Sequence, residues 1–227
     1  MSRDESHHRN LPYIRPRLAA SLILTRETGR GVDVLMGRRS ARHVFMPNKY
    51  VFPGGRVDRA DSSAPIARDL DTRVMSLMTR NLPASRARAA AAAAIRETAE
   101  ETGLLIARDA EIRSRHANWS PFRRHGVAPD LAPLKLITRA ITPPGRSRRF
   151  DTWFFTTDAS ALYDERPPTP SSELEDVQWV PLAEARELDL PIVTHFVLDE
   201  LKRVLPPAPE LPRCMKAVRG KMIVEAL

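Results

Sequence analysis

The feature that most constrains the fold is an alanine-rich segment, ASRARAAAAAAIRETAEETG, at residues 84–103. Alanine is the strongest helix former, and its small side chain lets a helix pack close to a sheet. The segment therefore predicts a helix that runs to about Thr102, with Ser85 as its N-cap. Gly103 suits the left-handed position that follows the last turn of a helix.

Runs rich in β-branched and aromatic residues predict strands on both sides of this helix. The spacing of Val74, Leu77 and Met78 predicts a short helix within an insert at about 58–84. We expect an α/β fold with one domain at 16–227, after a flexible arm at 1–15. The predicted strands lie at 19–25, 32–37, 49–55, 104–107, 134–144, 148–158, 173–180 and 221–227, and a further amphipathic helix lies at 190–205.

The charge balance is basic, since the 227 residues carry a formal net charge of +8, mostly through arginine. Such a balance is typical of proteins that bind small nucleotides or nucleic acid, and equally of a solvated basic face without a ligand. The single cysteine, Cys214, excludes an intrachain disulfide and a thiolate metal cluster.

The N-terminal segment is polar, and we expect no metal site at its His7 and His8. It does not resemble a secretory signal. No stretch approaches the ~18 consecutive apolar residues of a membrane helix. We therefore expect a cytoplasmic protein that does not enter a membrane.

Glu97, Glu100 and Glu101 share one face of the predicted helix, because they stand at positions i, i+3 and i+4. Like charges at this spacing destabilise a helix by roughly 0.2–0.5 kcal/mol per pair. The helix dipole also disfavours negative charge at a C-terminus. Two interpretations stay open from the helix alone, a solvated charged face or a site for a cation, and the first is favoured.

Two separated segments together resemble the signature of the Nudix hydrolase family, G-x5-E-x7-R-E-U-x-E-E-x-G-U, in which U is a bulky apolar residue. Gly55 of FPGG represents the first half, Thr98 stands at a U position, and Arg88 stands where the first glutamate belongs. The insert breaks the spacing, so that carboxylate is missing or comes from Asp58 or Asp61. The second half matches at Arg96, Glu97, Glu100, Glu101, Gly103 and Leu104.

This resemblance implies a Nudix fold, a mixed β-sheet sandwiched between α-helices, here with an inserted helical segment. It implies an enzyme that splits a nucleoside diphosphate linked to another group, with Mg²⁺ or Mn²⁺ and a water molecule. Mg²⁺ prefers oxygen ligands, and clustered carboxylates allow one group to act as a base while others hold metal.

By resemblance, Glu97, Glu100 and Glu101 are the metal ligands, together with a carbonyl near Gly55. Glu97 or Glu101 would assist the water, and Arg96 would orient the glutamates by ion pairing. The segment PSSELED offers Glu173 as an accessory acid, or Glu175, although a charged turn before a strand explains both equally well.

The segment before FPGG is similar to that of the Nudix coenzyme A diphosphatases, which carry R-S, three residues, R, three residues and G. Arg39 and Ser40 match, whereas Val44 replaces the second arginine and Asn48 the glycine. The match favours CoA or acyl-CoA as substrate, and a basic strand end without a ligand explains it equally well. The candidate substrate-binding residues are Arg38, Arg39 and Arg42.

Other hypotheses stay open at this point. The substrate is alternatively ADP-ribose, NADH or a dinucleotide. A second basic loop with Arg146, Arg148 and Arg149 could bind another phosphate, and the interpretation as a solvated turn is favoured. From a different class, a catalytically silent nucleotide-binding module fits the substitution at Arg88. Aromatic residues make up only 6% of the chain, so specific nucleic-acid binding is not expected. A homodimer is expected from the resemblance.

Overall fold

The computed structural model describes residues 14–42, 46–112, 114–206 and 210–227. His7, His8, Val44 and most of the predicted arm lie outside the described residues. The strands are β1 (Arg17–Thr28), β2 (Gly31–Arg39), β3 (Tyr50–Val51), β4 (Gly54–Arg56), β5 (Ala107–Asp109), β6 (Val127–Pro129), β7 (Lys135–Ile141), β8 (Phe150–Asp158), β9 (Leu174–Pro181), β10 (Arg213–Val218) and β11 (Lys221–Ala226). The helices are α1 (Thr72–Thr79), α2 (Ala84–Thr102), α3 (Ser120–Arg124) and α4 (Ile192–Val204).

Most of the strands form one mixed sheet in the order β11-β10-β7-β8-β1-β2-β3, with β4 paired to β1 and β9 to β2. The β1–β8 and β7–β10 pairs are parallel, and the other pairs of this sheet are antiparallel. β5 and β6 form a separate two-stranded sheet. The predicted α/β class is confirmed.

Helices cover both faces of the large sheet. Side chains alternate between the two faces along each strand, so one strand can contribute apolar residues to both layers. Leu22 and Leu24 of β1 belong to an apolar cluster with the alanines of α2. Ile23, between them, belongs to a second cluster with Val197 and Leu198 of α4. The alanines of α2 have at most 2% exposure from Ala89 to Ala94, so the predicted close packing of this helix is observed.

The ends of α2 agree with the prediction at one end only. Gly103 has the expected left-handed conformation, with a φ of 72°, and its N–H donates to the carbonyl of Ala99. The prediction for Ser85 is wrong, because the helix begins at Ala84 and Pro83 occupies the N-cap without a side-chain hydrogen bond. Proline's fixed φ suits the start of a helix, and the helix begins two residues earlier than a cap at Ser85 would place it.

The insert contains more structure than the single predicted helix. Besides α1, a 3₁₀ turn at Arg59–Ser63 begins with a capping box, in which Asp58 accepts a hydrogen bond from the N–H of Ala60. Asp61 in turn accepts a hydrogen bond from the N–H of Asp58 at 2.7 Å. This reciprocal arrangement fixes the direction of the Asp61 side chain. The organisation of 16–227 as one domain stays a prediction.

Candidate active site

The last two turns of α2 lie against β4, which pairs with β1. The carboxylate of Glu101 accepts a hydrogen bond from the N–H of Gly54 at 2.9 Å. A Cβ added to Gly55 would lie 2.5 Å from Oε1 of Glu97, so only glycine allows this carboxylate to approach the strand. FPGG and the glutamates, more than forty positions apart in the chain, therefore meet in one place, as the sequence predicts.

Arg96 lies at the centre of the carboxylates and is only 4% exposed. Its Nε and Nη2 donate to the two oxygens of Asp61, at 2.8 and 3.1 Å. Its Nη1 is 2.9 Å from Oε1 of Glu97 and donates to Glu100 Oε2 at the same distance, and its Nη2 also donates to the carbonyl of Arg56. One guanidinium thus links the insert, the strand and the helical turn.

Asp61 therefore supplies the carboxylate that faces the signature arginine. At the signature position of the first glutamate, Arg88 is exposed on the far part of α2 and pairs with Asp69 at 2.6 Å. The insert, rather than the first-glutamate position of the signature, contributes the buried carboxylate that binds Nε and Nη2 of Arg96, and Asp58 does not contact Arg96 within the described hydrogen bonds.

Burial perturbs the titration of the three glutamates, most strongly for Glu97 and Glu101, whereas the side chain of Glu100 is 38% exposed. Burial raises the pKa of Glu97 to about 7, against the opposing charge of Arg96. Burial, helped by the charge of Glu97, raises the pKa of Glu101 to about 8, although the N–H of Gly54 opposes the shift. Burial also raises the pKa of Glu100. Strong perturbation of clustered acids in a cavity is typical of catalytic sites.

A cavity of about 870 Å³ opens beside this turn, and we call it the glutamate cavity. Its apolar lining residues include Phe52 and Phe154, and its polar lining residues include Arg39, Arg148 and Glu173. Its size and mixed lining suit a small-molecule ligand. Glu97, Glu100, Glu101 and Gly55 all line it.

Of the three predicted substrate-binding arginines, the structure brings one into the glutamate cavity. Arg39 lines it, and burial lowers the pKa of its guanidinium while the charges of Glu101, Glu173 and Glu97 oppose this change. Arg38 instead lies 3.4 Å from Glu175 of the neighbouring strand β9. Successive residues of a strand point to opposite faces, which separates the two arginines. Arg42 is exposed and does not line the cavity.

Of the two candidate accessory acids, Glu173 lines the glutamate cavity and Glu175 pairs with Arg38. Arg148 and Arg149 of the basic loop before β8 both line the glutamate cavity. Arg149 is buried and donates to the carbonyls of Thr142 and Ile14, so it holds the loop together. Arg148 is exposed, as in the solvated turn that the sequence favours, and it also lines the cavity, where it could contact a phosphate.

Among the described residues, no three His, Cys, Asp or Glu side chains are arranged to hold one metal ion. The carboxylates turn instead toward Arg96 and Gly54. The donor chemistry nevertheless fits Mg²⁺ or Mn²⁺, because the oxygens are hard and line a cavity. Mg²⁺ usually takes one or two carboxylates, waters and substrate phosphates, so a preformed cage is not required.

No helix in the described parts of the chain is long and apolar enough to cross a membrane.

Comparison with known proteins agrees with this geometry. A family model described as NUDIX domain matches residues 84–198, just over half of the 227 residues. Acyl-coenzyme A diphosphatase NUDT19 of Xenopus laevis is 26% identical over 267 aligned positions, which cover 87% of this chain and 69% of that protein.

Two further proteins are similar to this chain. Putative nudix hydrolase 7 of Caenorhabditis elegans is 28% identical, and the alignment covers 72% of this chain and 51% of that protein, so the chain spans about half of that relative's length. The crystal structure of a NUDIX hydrolase from Alicyclobacillus acidocaldarius has a TM-score of 0.65 and 28% identity. That match covers 82% of this chain and 90% of the other.

Proposed function

This chain belongs to the Nudix hydrolase family, and on that premise we propose that it hydrolyses the diphosphate bond of a nucleoside diphosphate linked to another moiety, with Mg²⁺ or Mn²⁺. The observation that carries the proposal is the buried turn of α2 at the wall of the glutamate cavity. Three glutamates lie there: Glu97 and Glu101 have pKa values of about 7 and about 8, and Glu97 and Glu100 contact Arg96.

Glu97, Glu100 and Glu101 would hold the cation, with the carbonyl of Gly55 beside them. When bound, such a cation neutralises phosphate charge and makes a nearby water more acidic. Arg96 keeps Glu97 and Glu100 in place, because its own position is fixed by Asp61.

Glu97 and Glu101 are the candidate bases for the attacking water. A general base is most effective when its pKa lies near the working pH, and both groups meet this condition through burial. Glu173, which also lines the glutamate cavity, would assist as an accessory acid. Arg39 and Arg148 would bind the substrate phosphates, since a guanidinium donates two parallel hydrogen bonds to an oxyanion.

The substrate that we favour is CoA or an acyl-CoA. Support comes from the Arg39–Ser40 pair, from the position of Arg39 in the glutamate cavity and from the similarity to a protein named as an acyl-coenzyme A diphosphatase. A cytoplasmic location and a homodimer are further proposals. Light scattering of the purified chain measures the second.

The test is a panel of CoA, acyl-CoA, NADH, ADP-ribose and diadenosine compounds, each incubated with Mg²⁺, with Mn²⁺ and with a chelator. We expect metal-dependent release of 3′,5′-ADP from CoA, which locates the cleavage at the diphosphate. Turnover of other compounds but not of CoA would contradict the proposed substrate, and the proposed reaction class would stand. Nucleotide binding without turnover of any compound would overturn the enzyme proposal.

Glu100→Gln and Glu101→Gln test the site. We expect each to lower metal-dependent turnover by about 10²-fold or more. The amide introduced by Glu101→Gln keeps an oxygen that can accept from the N–H of Gly54, so the fold is retained. Glu27→Gln, on the exposed part of β1, is the matched control and should retain full turnover. Full activity of either site variant would contradict the ligand assignment.

A further inference from the structure

A second cavity, of about 600 Å³, adjoins the glutamate cavity and has a different chemical character. Arg17 and Arg56 line both cavities, so the two are neighbours. Among the described residues of its lining, Asp58 is the only acid. We call it the arginine cavity, since it is lined by Arg15, Arg17, Arg56, Arg59 and Arg86.

These five arginines come from four parts of the chain: the segment before β1 with the start of that strand, β4, the 3₁₀ turn of the insert and the first turn of α2. Within the described residues, none of the five forms an ion pair with a carboxylate. Exposed arginines elsewhere are paired in some cases, such as Arg68 and Arg186, and form no ion pair within the described residues in others, such as Arg30 and Arg73. The distinguishing feature of the arginine cavity is that five such side chains line one cavity beside a single acid.

The start of α2 adds to the positive potential of the arginine cavity. The helix dipole places partial positive charge at this end, where acidic residues are favourable. The first turn has no acidic residue and no side-chain cap, and Arg86 stands there instead. The fold thus concentrates positive charge where the backbone already supplies it, which is the arrangement that an anion would stabilise.

We propose that the arginine cavity binds a second phosphate group of the substrate, separate from the diphosphate that is cleaved. The substrate class is then a nucleoside diphosphate derivative that carries a further phosphate monoester. The shared Arg17 and Arg56 place this group within one molecule's reach of the glutamates. The inference rests on the proposed function for its substrate, but phosphate binding itself is measurable without turnover.

The binding experiment compares adenosine 3′,5′-bisphosphate with AMP by calorimetry at one fixed ionic strength. We expect the wild-type chain to bind the bisphosphate about tenfold more tightly, as expected for charge-assisted contacts. Arg59→Gln/Arg86→Gln should abolish the preference, because it removes two cations that line only the arginine cavity. Arg30→Gln/Arg73→Gln, at two other exposed positions, removes the same charge and should keep the preference.

Turnover supplies the second measurement. CoA and 3′-dephospho-CoA differ by one phosphate monoester, and the Arg59→Gln/Arg86→Gln variant should raise KM for CoA alone by about tenfold, with kcat unchanged. If neither compound is cleaved but the bisphosphate preference depends on these arginines, the proposed function fails and the anion site stands.

Two results would overturn the inference. The first is equal affinity of the wild-type chain for the bisphosphate and AMP, or a preference that the double variant retains. The second is a double variant that loses affinity for an RNA oligonucleotide while its small-molecule binding is unchanged. That result would assign these arginines to nucleic acid.

Discussion

The buried pair between Asp61 and Arg96 gives the sharpest test of how the insert completes the site. Asp61→Asn keeps the size of the side chain and removes its charge. The side chain of Asp61 is 0% exposed and that of Arg96 is 5% exposed, so water cannot replace the lost partner. We expect a large loss of stability together with a loss of turnover, because Arg96 also positions Glu97 and Glu100.

The magnitude follows from the geometry. Removing one partner of a buried ion pair costs about 3–5 kcal/mol, because the other charge stays buried without compensation. Arg96 retains contacts with Glu97 and Glu100 at 2.9 Å, so we expect the lower end, about 3 kcal/mol. For a chain of this length, 1 kcal/mol shifts Tm by about 2–4 °C, so the expected decrease in Tm is about 6–12 °C.

The assay is thermal and urea unfolding of the purified variants, with turnover measured on the same samples well below Tm. Asp69→Asn is the matched control, because it removes the acid of an Arg–Asp pair whose side chains are 45% and 40% exposed. Exposed pairs contribute about 0–1 kcal/mol, so the control should change Tm by no more than a few degrees.

Two outcomes would refute this reasoning. The first is an Asp61→Asn variant that is no less stable than Asp69→Asn. The second is recovery of stability and turnover when Arg88→Glu is added to Asp61→Asn. Arg88 is exposed and pairs with Asp69, so a glutamate at this position should not reach Arg96. Recovery would show that the linear position of the signature glutamate is the functional one.

Two further predictions concern the glutamates. Gly55→Ala places a Cβ 2.5 Å from Glu97 Oε1, so it should lower kcat by about tenfold and destabilise the fold by about 1–3 kcal/mol. Gly29→Ala is the control, because a Cβ there meets nothing within 4 Å, and it should leave kcat unchanged. Unaltered kinetics of Gly55→Ala would contradict the contact. In the folded chain the pKa is about 7 for Glu97 and about 8 for Glu101, above the usual 4.5. The folded chain therefore binds more protons than the unfolded chain at a pH between these values. Without metal, the free energy of unfolding should decrease as the pH rises from 5 to 8. Urea unfolding with a chelator measures this slope, which Glu101→Gln should reduce; an unchanged slope in that variant would contradict the shifted pKa.

The elements with strong local patterns could be predicted from the sequence. The alanine run determines a helix that packs on the sheet, and Gly103 ends it, because both effects depend on neighbouring residues alone. The family and the class of enzyme, a Nudix diphosphohydrolase, are confirmed by the matched domain. The meeting of Gly55 with Glu97 also follows from the signature, since the close approach requires glycine.

Elements that depend on distant pairing were harder to predict. β10 was missed, and its parallel partner β7 lies about seventy residues earlier in the chain. The strand predicted at 104–107 is mostly wrong, because Leu104 and Leu105 are buried in the apolar core and strand β5 begins at Ala107. Apolar runs this short do not distinguish a strand from a buried connection.

The positions of Arg38 and Arg39 could have been distinguished from strand alternation, which the motif match did not consider. Once β2 is known to extend to Arg39, alternation places Arg38 and Arg39 on opposite faces, and only one of them can face the glutamate cavity. The motif treats both as equivalent members of a basic cluster. For Arg148 the basic loop left phosphate binding and a solvated turn both open, because its place in the cavity depends on how the loop before β8 folds over the sheet.

The interrupted signature shows which of its parts require fixed spacing. Glu97, Glu100 and Glu101 share a face only because one helix presents them at i, i+3 and i+4, so an insertion among them would disperse the ligands. The partner of Arg96 has no such constraint, since the guanidinium requires a carboxylate at a point in space. The capping box that directs Asp61 meets this requirement from the insert. An insertion between Gly55 and α2 is therefore compatible with a complete site whenever it returns one buried acid to the arginine.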